Sequence, residues 1–525
     1  MRIITAIAGF IISAGSSCMN NPFLAHADVP TNGSTSVITD GAIRVNIPYF
    51  GSSNIAFGQC AIFWFGAVRE RDNYVDVRIG YNDRELYIYA AVFDKRIWFD
   101  ENPNRDNLTK SDALTLYFAT DENSTALSAH TFKCIGQMSG DSASKYRRTF
   151  IGSGGAWHDS AIGVATIPGW RGDALNNDGD DRGWVLTYRI PFSALGLSAA
   201  PAGGTTWRMA MILHDRDDAA GTFIEPTYWP DASVDELSPQ TWARICFGLP
   251  RYTPSSTAVT DSALVRDRHQ GLEVKEISVG GSSVCGHGRD FFTQWGDMND
   301  PNNTTLVVQN QSDIADWPCF AKIFLSFPLD SLPKDKEVVS ATLVMYLFGG
   351  SEPSQATPSW IQALIVSPWD SSVTTWNNSP AMLENVSGTW VEPCINFPGW
   401  PGVRYAWDVS YAIARTLASG KDTLYVGLYS ADSDYHSGKY FVGAADDGWN
   451  EEGRPALHVY VGAPPNSAPP LLLAYGRKKH VMCCTAMYMN GSGLRHEISL
   501  PRFDLLGKTR TIGTASGFGV IHKEQ

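Results

Sequence analysis

The chain has 525 residues, with 41 Lys and Arg against 54 Asp and Glu, giving a formal net charge of −13. Apolar residues make up 43% and charged residues 18%, with 48 Gly and 29 Pro, which excludes both a disordered acidic chain and a coiled coil. A net anion gains nothing from the counterions of a phosphate backbone or an anionic lipid surface, so nucleic acid is not an expected partner.

Residues 1–27 read as an export signal. Arg2 supplies the positive start, an apolar run follows from Ile3 to Ile12, and the small-residue site Ala25-His26-Ala27 precedes Asp28. That run is too short for a retained span, and no later stretch reaches the ~18 apolar residues a membrane helix needs. A secreted or surface-held protein with no membrane span is therefore expected. Residues 75–81 alternate apolar and polar side chains, as a half-buried strand does, and residues 82–85 form a polar turn before the aromatic-rich run 86–93. Together they predict a hairpin. Residues 113–118, 184–190 and 207–213 predict further strands.

The Pro- and Ser-rich stretch 249–257 marks a seam, after which a second run of strands begins. Helical spacing is rare. Val409, Ile413 and Leu417 at four-residue intervals predict one helix, with Asp408 or Ser410 available to cap it. Residues 462–470 hold too much proline for an element interior and suit an extended linker. Beyond them, residues 471–525 carry eight Lys and Arg against three Asp and Glu, a basic, poorly structured tail on an acidic body. Many short strands between Gly, Pro, Asn and Asp clusters predict an all-β fold: two tandem antiparallel β-sandwich, jelly-roll-like domains at 28–250 and 258–462. Linkers at 251–257 and 463–470 complete this division.

Eight cysteines follow the signal, three in each sandwich and two at 483 and 484. They are too sparse for a disulfide-dense scaffold, there is room for one bridge per sandwich, and the spacing leaves the pairing open. No CxxC, HExxH or Cys/His cluster has zinc spacing.

Local phrasing adds a resemblance. Residues 77–89 look like an opening hairpin, 111–118 like a strand entered through an acidic residue, 183–196 like an amphipathic strand and its turn, and 239–244 like a closing strand. In this order they resemble the family 9 carbohydrate-binding modules and the wider DOMON-like sandwiches. In the second half the phrases at 322–333, 338–347, 369–380, 407–409 and 454–459 resemble, in order, the DNRLRE domain of secreted microbial proteins, related to alginate-binding modules. The phrase at 284–289 and Trp295 depart from that family's front end.

The resemblance implies contact with a polysaccharide: indole faces stack on the C–H faces of pyranose rings while carboxylates, amides and Arg take the hydroxyls. Trp98, Trp157 and Trp229 lie in polar, Gly-flanked or Pro-flanked turns and are the expected platforms. For Trp98 a lid on the sandwich core is the competing reading. Trp184, Trp207 and Trp242 fall inside strand patterns and are expected in the core. Family 9 modules commonly hold structural calcium, which makes Asp215, Asp217 and Asp218 the expected metal ligands. Residues 176–181 resemble half of a calcium loop, but Ala174 and Val185 stand where the opening Asp and closing Glu belong, so a solvated turn is expected there. Asp446, Asp447, Glu451 and Glu452 sit in a Gly-flanked loop and read as solvated.

No nucleophile elbow, phosphate loop or dinucleotide motif occurs, and no catalytic residue is assigned. Met209, Met211 and His214 are the only nearby haem-type ligands, and without a CxxCH motif no haem is expected. The competing functional readings are a polysaccharide hydrolase or lyase with an unrecognised site, and a structural surface protein.

Overall fold

Short alternating segments between turns can satisfy their backbone groups only by pairing in ladders. The computed structural model describes residues 42–281, 291–311, 319–333, 335–351, 354, 356–432, 434, 437–444, 449–463 and 473–476. The expected export signal, the phrase at 284–289, nearly all of the second linker and most of the basic tail lie outside the described residues.

The first half contributes β1 (Arg44–Ile47), β2 (Ala61–Gly66), β3 (Tyr74–Tyr81), β4 (Glu85–Phe93), β5 (Ala113–Ala119), β6 (Thr131–Gln137) and β7 (Arg147–Ser153). It continues with β8 (Ala156–Asp159), β9 (Ala165–Arg171), β10 (Gly183–Pro191), β11 (Thr206–His214), β12 (Thr227–Trp229), β13 (Ala243–Phe247) and β14 (Leu249–Tyr252). The second half adds β15 (Asp261–Arg266), β16 (Lys275–Gly280), β17 (Thr305–Val308), β18 (Ala321–Pro328), β19 (Val338–Gly350) and β20 (Ser359–Val366). Then follow β21 (Met382–Val391), β22 (Val403–Asp408), the helix α1 (Ser410–Ala418), β23 (Thr423–Ser430), β24 (Lys439–Val442), β25 (Ala456–Val461) and β26 (Leu473–Gly476). The all-β class expected from the sequence is what the structure shows, and the helix is where the spacing predicts it. Its start is held by Asp408, whose carboxylate accepts from the Ser410 N–H at 3.0 Å.

Thirteen strands form one sheet, in the order β16-β18-β23-β20-β21-β1-β13-β11-β5-β6-β7-β8 with β12 also on β11. A five-stranded sheet runs β2-β3-β4-β10-β9, and a six-stranded sheet runs β15-β25-β19-β24-β17 with β22 on β19. β14 pairs with β26.

The five-stranded sheet lies between the two arms of the thirteen-stranded one. On one face Tyr81 meets Phe247 at 4.9 Å between ring centroids and Phe192 meets Trp207 at 6.3 Å. On the other face Trp64 meets Tyr429 at 5.8 Å and Phe93 meets Phe320 at 4.7 Å. The β16–β21 arm turns its far face to the six-stranded sheet, where Ile323, Leu325 and Phe327 share an apolar core with Leu343, Met345 and Leu457. Four layers result. The halves that the sequence divides at 251–257 therefore share one sheet and one continuous core.

β3 shows how this layering overrides the local pattern. The alternation at 75–81 predicts one wet face, yet all eight residues of β3 are buried. The polar face is covered because its groups find partners in the second half. Asp76 accepts from the Tyr429 hydroxyl at 2.7 Å and the Asn310 amide at 3.1 Å, and Arg78 donates to the Ala431 and Gln311 carbonyls at 3.2 and 2.9 Å. Lys322, fully buried, donates to the Tyr74 hydroxyl at 2.9 Å between the rings of Trp64 and Trp376. Burial pushes its ammonium well below the usual range, and only the charge of Asp76 opposes that.

β1 is the stitch between the arms. It runs parallel to β13, with Val45 opposite Ile245 and Ile47 opposite Phe247, and bridges to β21 at Arg44 opposite Glu384. Val45 and Ile47 enter the core beside β13, while Arg44 and Asn46 turn the other way. Arg44 pairs with Glu384, which also holds Arg415 and accepts from Tyr411 at 3.1 Å. Asn46 and Asn385 exchange side-chain and backbone hydrogen bonds of 2.7 to 2.8 Å.

Candidate functional site

Three aspartates converge at one end of the first sandwich. Asp94 follows the last residue of β4, Asp112 precedes β5 and Asp215 follows β11. Each offers a carboxylate oxygen within 4.8 Å of the others. Asp94 and Asp112 are wholly buried, and both carboxylate oxygens of Asp215 are buried. Burial first, then the charges of neighbouring carboxylates, pushes Asp94 and Asp112 far above the usual range and Asp215 up to about 7. Asp217 stands beside them, 7% exposed, with a buried and unpartnered Oδ2.

Such a set is unfavourable as three bare anions and becomes favourable around a hard cation. Oxygen donors alone, on several carboxylates with little room for retained water, suit calcium better than magnesium. The family-implied calcium thus fits, with a changed ligand set. Asp215 would hold it together with Asp94 and Asp112, two residues the sequence reading missed. Asp218 lies outside the trio: hydrogen bonds from the Thr222 hydroxyl first, and from the Thr222 N–H at 3.0 Å, hold its carboxylate below its ordinary value. Asp94 and Asp112 are separated in sequence from 215 by over a hundred residues, so only the fold reveals them.

The neighbouring loop 176–181 keeps Asp178 and Asp180 exposed, as expected of a solvated turn, while Asn176 and Asp181 tie its two ends into this site. Asp181 is 1% exposed and accepts from the Ile97 N–H at 3.0 Å, and Asn176 in the left-handed region (φ 59°) accepts from the Phe99 N–H at 2.8 Å. Burial pushes Asp181 up to about 6. Gly172 is required here, because a Cβ would stand 1.9 Å from the Asp181 carboxylate.

The three expected platforms have separate surroundings. Trp98 is partly exposed; its backbone N–H donates to Asp112 at 2.6 Å and the Arg216 guanidinium lies 5.7 Å from its ring. Trp157, also partly exposed, packs at 5.9 Å from Tyr117 on another face. Trp229 is 2% exposed and stacked on Phe63 at 4.3 Å, so both its faces are covered and it is a core residue. Its two flanking prolines signalled a loop, but β12 pairs with β11 and carries the ring inward. Trp184, Trp207 and Trp242 are buried, as their strand patterns predict.

The most open aromatic surface lies elsewhere. Trp400, Trp449 and Phe397 are 45%, 60% and 58% exposed. The Trp400 ring meets Trp449 at 4.8 Å and 84°, Phe397 at 5.2 Å, and Phe348 of β19 at 5.5 Å. Trp400 stands in Gly399-Trp400-Pro401-Gly402 and Trp449 follows Gly448, the glycine-flanked signal that selected Trp157. Applied along the whole chain, that signal finds both. Gly402 has φ 110°, and a Cβ there would sit 2.8 Å from the Leu347 carbonyl. The turn therefore lies directly on β19.

Beside this cluster, the outer face of the six-stranded sheet holds an open cavity of about 380 Å³ lined by Arg266, Val344, Tyr346, Glu452, Ala456 and His458. Tyr346 leads into Phe348 on β19, and Trp449 leads into Glu452, so the same segments line both surfaces. Arg266 pairs with Glu451 at 3.0 Å but leaves its buried Nε without a partner. His458 is pushed below its usual range by burial and by the positive charges of Arg404 and Arg266. Flat rings beside a cavity with hydroxyl, guanidinium and imidazole groups can stack on a sugar and hydrogen-bond its substituents.

One family match covers part of this surface. Residues 289–444 match the model of carbohydrate-binding module family 96. That stretch is similar to a carbohydrate-binding module. It contains Tyr346, Phe348, Phe397 and Trp400, while Arg266, Trp449, Glu452 and His458 come from outside it. Among solved structures, a family 9 carbohydrate-binding module from Caldicellulosiruptor kristjanssonii in complex with cellotriose overlaps 39% of this chain and 93% of its own, at 12% identity and a TM-score of 0.27. The same organism's module in complex with glucose overlaps 39% and 95%, at 13% identity and a TM-score of 0.28. No curated protein matches the chain.

Of the described cysteines, Cys60, Cys134 and Cys394 are free thiols. Burial pushes the first two up to about 12, which makes them inert core residues.

Proposed function

We propose that this protein is an exported polysaccharide binder whose principal site is the outer face of the six-stranded sheet. The supporting observation is the exposed Trp400–Trp449 pair, set at 84° beside the cavity of Arg266, Tyr346 and His458. Soluble proteins keep few large aromatic rings in contact with water, and a mutually packed exposed group marks a binding surface. Arg266, Arg404 and His458 favour a glycan carrying carboxylates over a neutral one. The role is binding rather than cleavage. Hydrolysis needs two carboxylates flanking the scissile bond, one of them kept protonated, whereas Glu451 and Glu452 are exposed and engaged with Arg266 and Tyr346. Calcium at Asp94, Asp112 and Asp215 has a structural role in the first half. The likeness of that half to family 9 modules, and of the second to the DNRLRE domain, rests on the phrases in the sequence.

Retention on insoluble neutral and uronate-bearing glycans, paired with a reducing-sugar assay, tests the reading. Retention without product is expected, weakened by Trp400→Ala and by Trp449→Ala. Release of sugar would favour the hydrolase or lyase reading, and failure to bind any glycan would favour a structural surface protein.

A further inference from the structure

The exposed rings on the outer face of the six-stranded sheet do not lie in one plane. Trp449 and Phe397 are inclined to Trp400 by 84° and 68°, and Phe348 by 37°. A crystalline polysaccharide presents packed chains as a flat face, which only coplanar rings can meet together. Laid on one of these indoles, such a face tilts away from the other. Trp400 and Trp449 form a corner instead, suited to one sugar ring. The loop 392–402 keeps that angle. Pro393, Pro398 and Pro401 restrict its backbone, the Tyr405 hydroxyl accepts from the Glu392 N–H at 3.1 Å at its start, and Val403 pairs with Leu347 at its end. Phe348 is the extra residue where the β19–β24 register shifts between Leu347 and Gly349, and its ring packs on Trp400. Tyr346 stands about 7 Å before Phe348 on the same face of β19. It lines the cavity of about 380 Å³ together with Arg266 and His458. That volume is near the small end of ligand pockets, space for a sugar residue or two. Arg266 gives Glu451 its Nη2 at 3.0 Å and keeps a buried Nε without a partner.

We propose that the corner and the cavity are consecutive subsites for one isolated glycan chain: a sugar ring seats between Trp400 and Trp449, and the carboxylate of its neighbour enters the cavity against Arg266 and His458. This rests on the reading of that face as the polysaccharide site and narrows it to single, hydrated uronate chains, to the exclusion of crystalline surfaces. Corner and cavity share β19 through Tyr346 and Phe348, so consecutive sugar residues reach both without a bend in the protein. Arg404, opposite Tyr346 in the register, adds a further positive charge. Glu451 and Glu452 are the carboxylates of this rim; the first holds Arg266 and the second accepts from the Tyr346 hydroxyl at 3.4 Å. An entering carboxylate competes with Glu451 for the guanidinium, and a neutral hydroxyl competes less well, which makes Arg266 the residue that discriminates between them.

The test titrates the full chain with oligomers of galacturonate, mannuronate, guluronate and cellouronate, from monomer to octamer, and with their carboxyl-reduced counterparts. In parallel the protein is incubated with crystalline cellulose, plain and surface-oxidised, the second carrying uronates on a flat face. Affinity for at least one uronate series is expected to rise from monomer to trimer and then level, with no retention on either crystalline form. Retention on surface-oxidised crystals as strong as on soluble chains, or affinity that keeps climbing to the octamer, would overturn the single-chain site and leave the polysaccharide reading standing. No binding to any glycan would overturn that reading as well. Trp449→Ala should weaken the uronate trimer and its reduced counterpart alike, by about tenfold or more. Arg266→Gln should weaken the uronate trimer by about tenfold more than the reduced one. Equal losses for the two ligands would overturn the cavity as the carboxylate subsite. If Arg266→Gln does not fold, Arg404→Gln, at an exposed position, gives the same comparison.

Discussion

An indole ring works as a core filler when both faces are covered and as a platform when one stays wet. Trp229 and Trp400 sit in similar Pro-flanked phrases, yet the first is stacked on Phe63 and the second meets water. Sequence patterns could name both as turn tryptophans but not separate them, because the difference depends on which strand the turn abuts. Trp229→Ala should cost about 3 to 5 kcal/mol of stability by leaving a cavity beside Phe63, measured by chemical denaturation. Trp400→Ala and Trp449→Ala should leave the denaturation midpoint nearly unchanged and weaken glycan retention by about tenfold or more, because stacked rings dominate such contacts. A Trp400→Ala variant that unfolds early but binds normally would reverse the two roles.

Elements meet here through buried polar groups as well as apolar ones. The β1–β21 junction is held by Glu384 between Arg44 and Arg415, all three nearly or fully buried. Glu384→Ala would remove the carboxylate between two buried guanidinium groups and should destabilise the protein by about 3 to 5 kcal/mol. Lys322→Met removes a lone buried ammonium among aromatic rings and should be neutral or stabilising, measured on the same denaturation curves. These networks explain why β3 misleads at the sequence level. Asp76 and Arg78 look like solvent-facing residues until their partners at Tyr429, Asn310 and Ala431 are known, and those lie over two hundred positions away. By contrast the hairpin 74–93, β5, β10, β11 and α1 were legible, since their signals are local: alternation, four-residue spacing, and Asn82 accepting from the Arg84 and Glu85 amides at the turn.

At the scale of the molecule, two sandwiches that each bury one face would melt separately, whereas four interlocked layers should not. All described residues lie in one compact unit. Calorimetry of the full chain should show one cooperative transition, and residues 42–250 alone should aggregate, because the face carrying Trp64, Tyr74, Asp76 and Arg78 would be bared. Two resolved transitions would contradict the shared core. The composition made the all-β class readable, but a parallel stitch between distant strands leaves no local trace. The aspartate trio was hidden for the same reason: one member was readable, and its companions are brought to it by the strand order.

The placement of β1 also constrains how the chain can be made. Residues 44–47 leave the ribosome well before their neighbours on either side, β13, some two hundred residues on, and β21, some three hundred and forty residues on. Once β1 has joined β13, its outer edge still awaits β21, an exposure that invites pairing with another nascent molecule. The junction at Arg44 and Glu384 can close only after β21 has emerged.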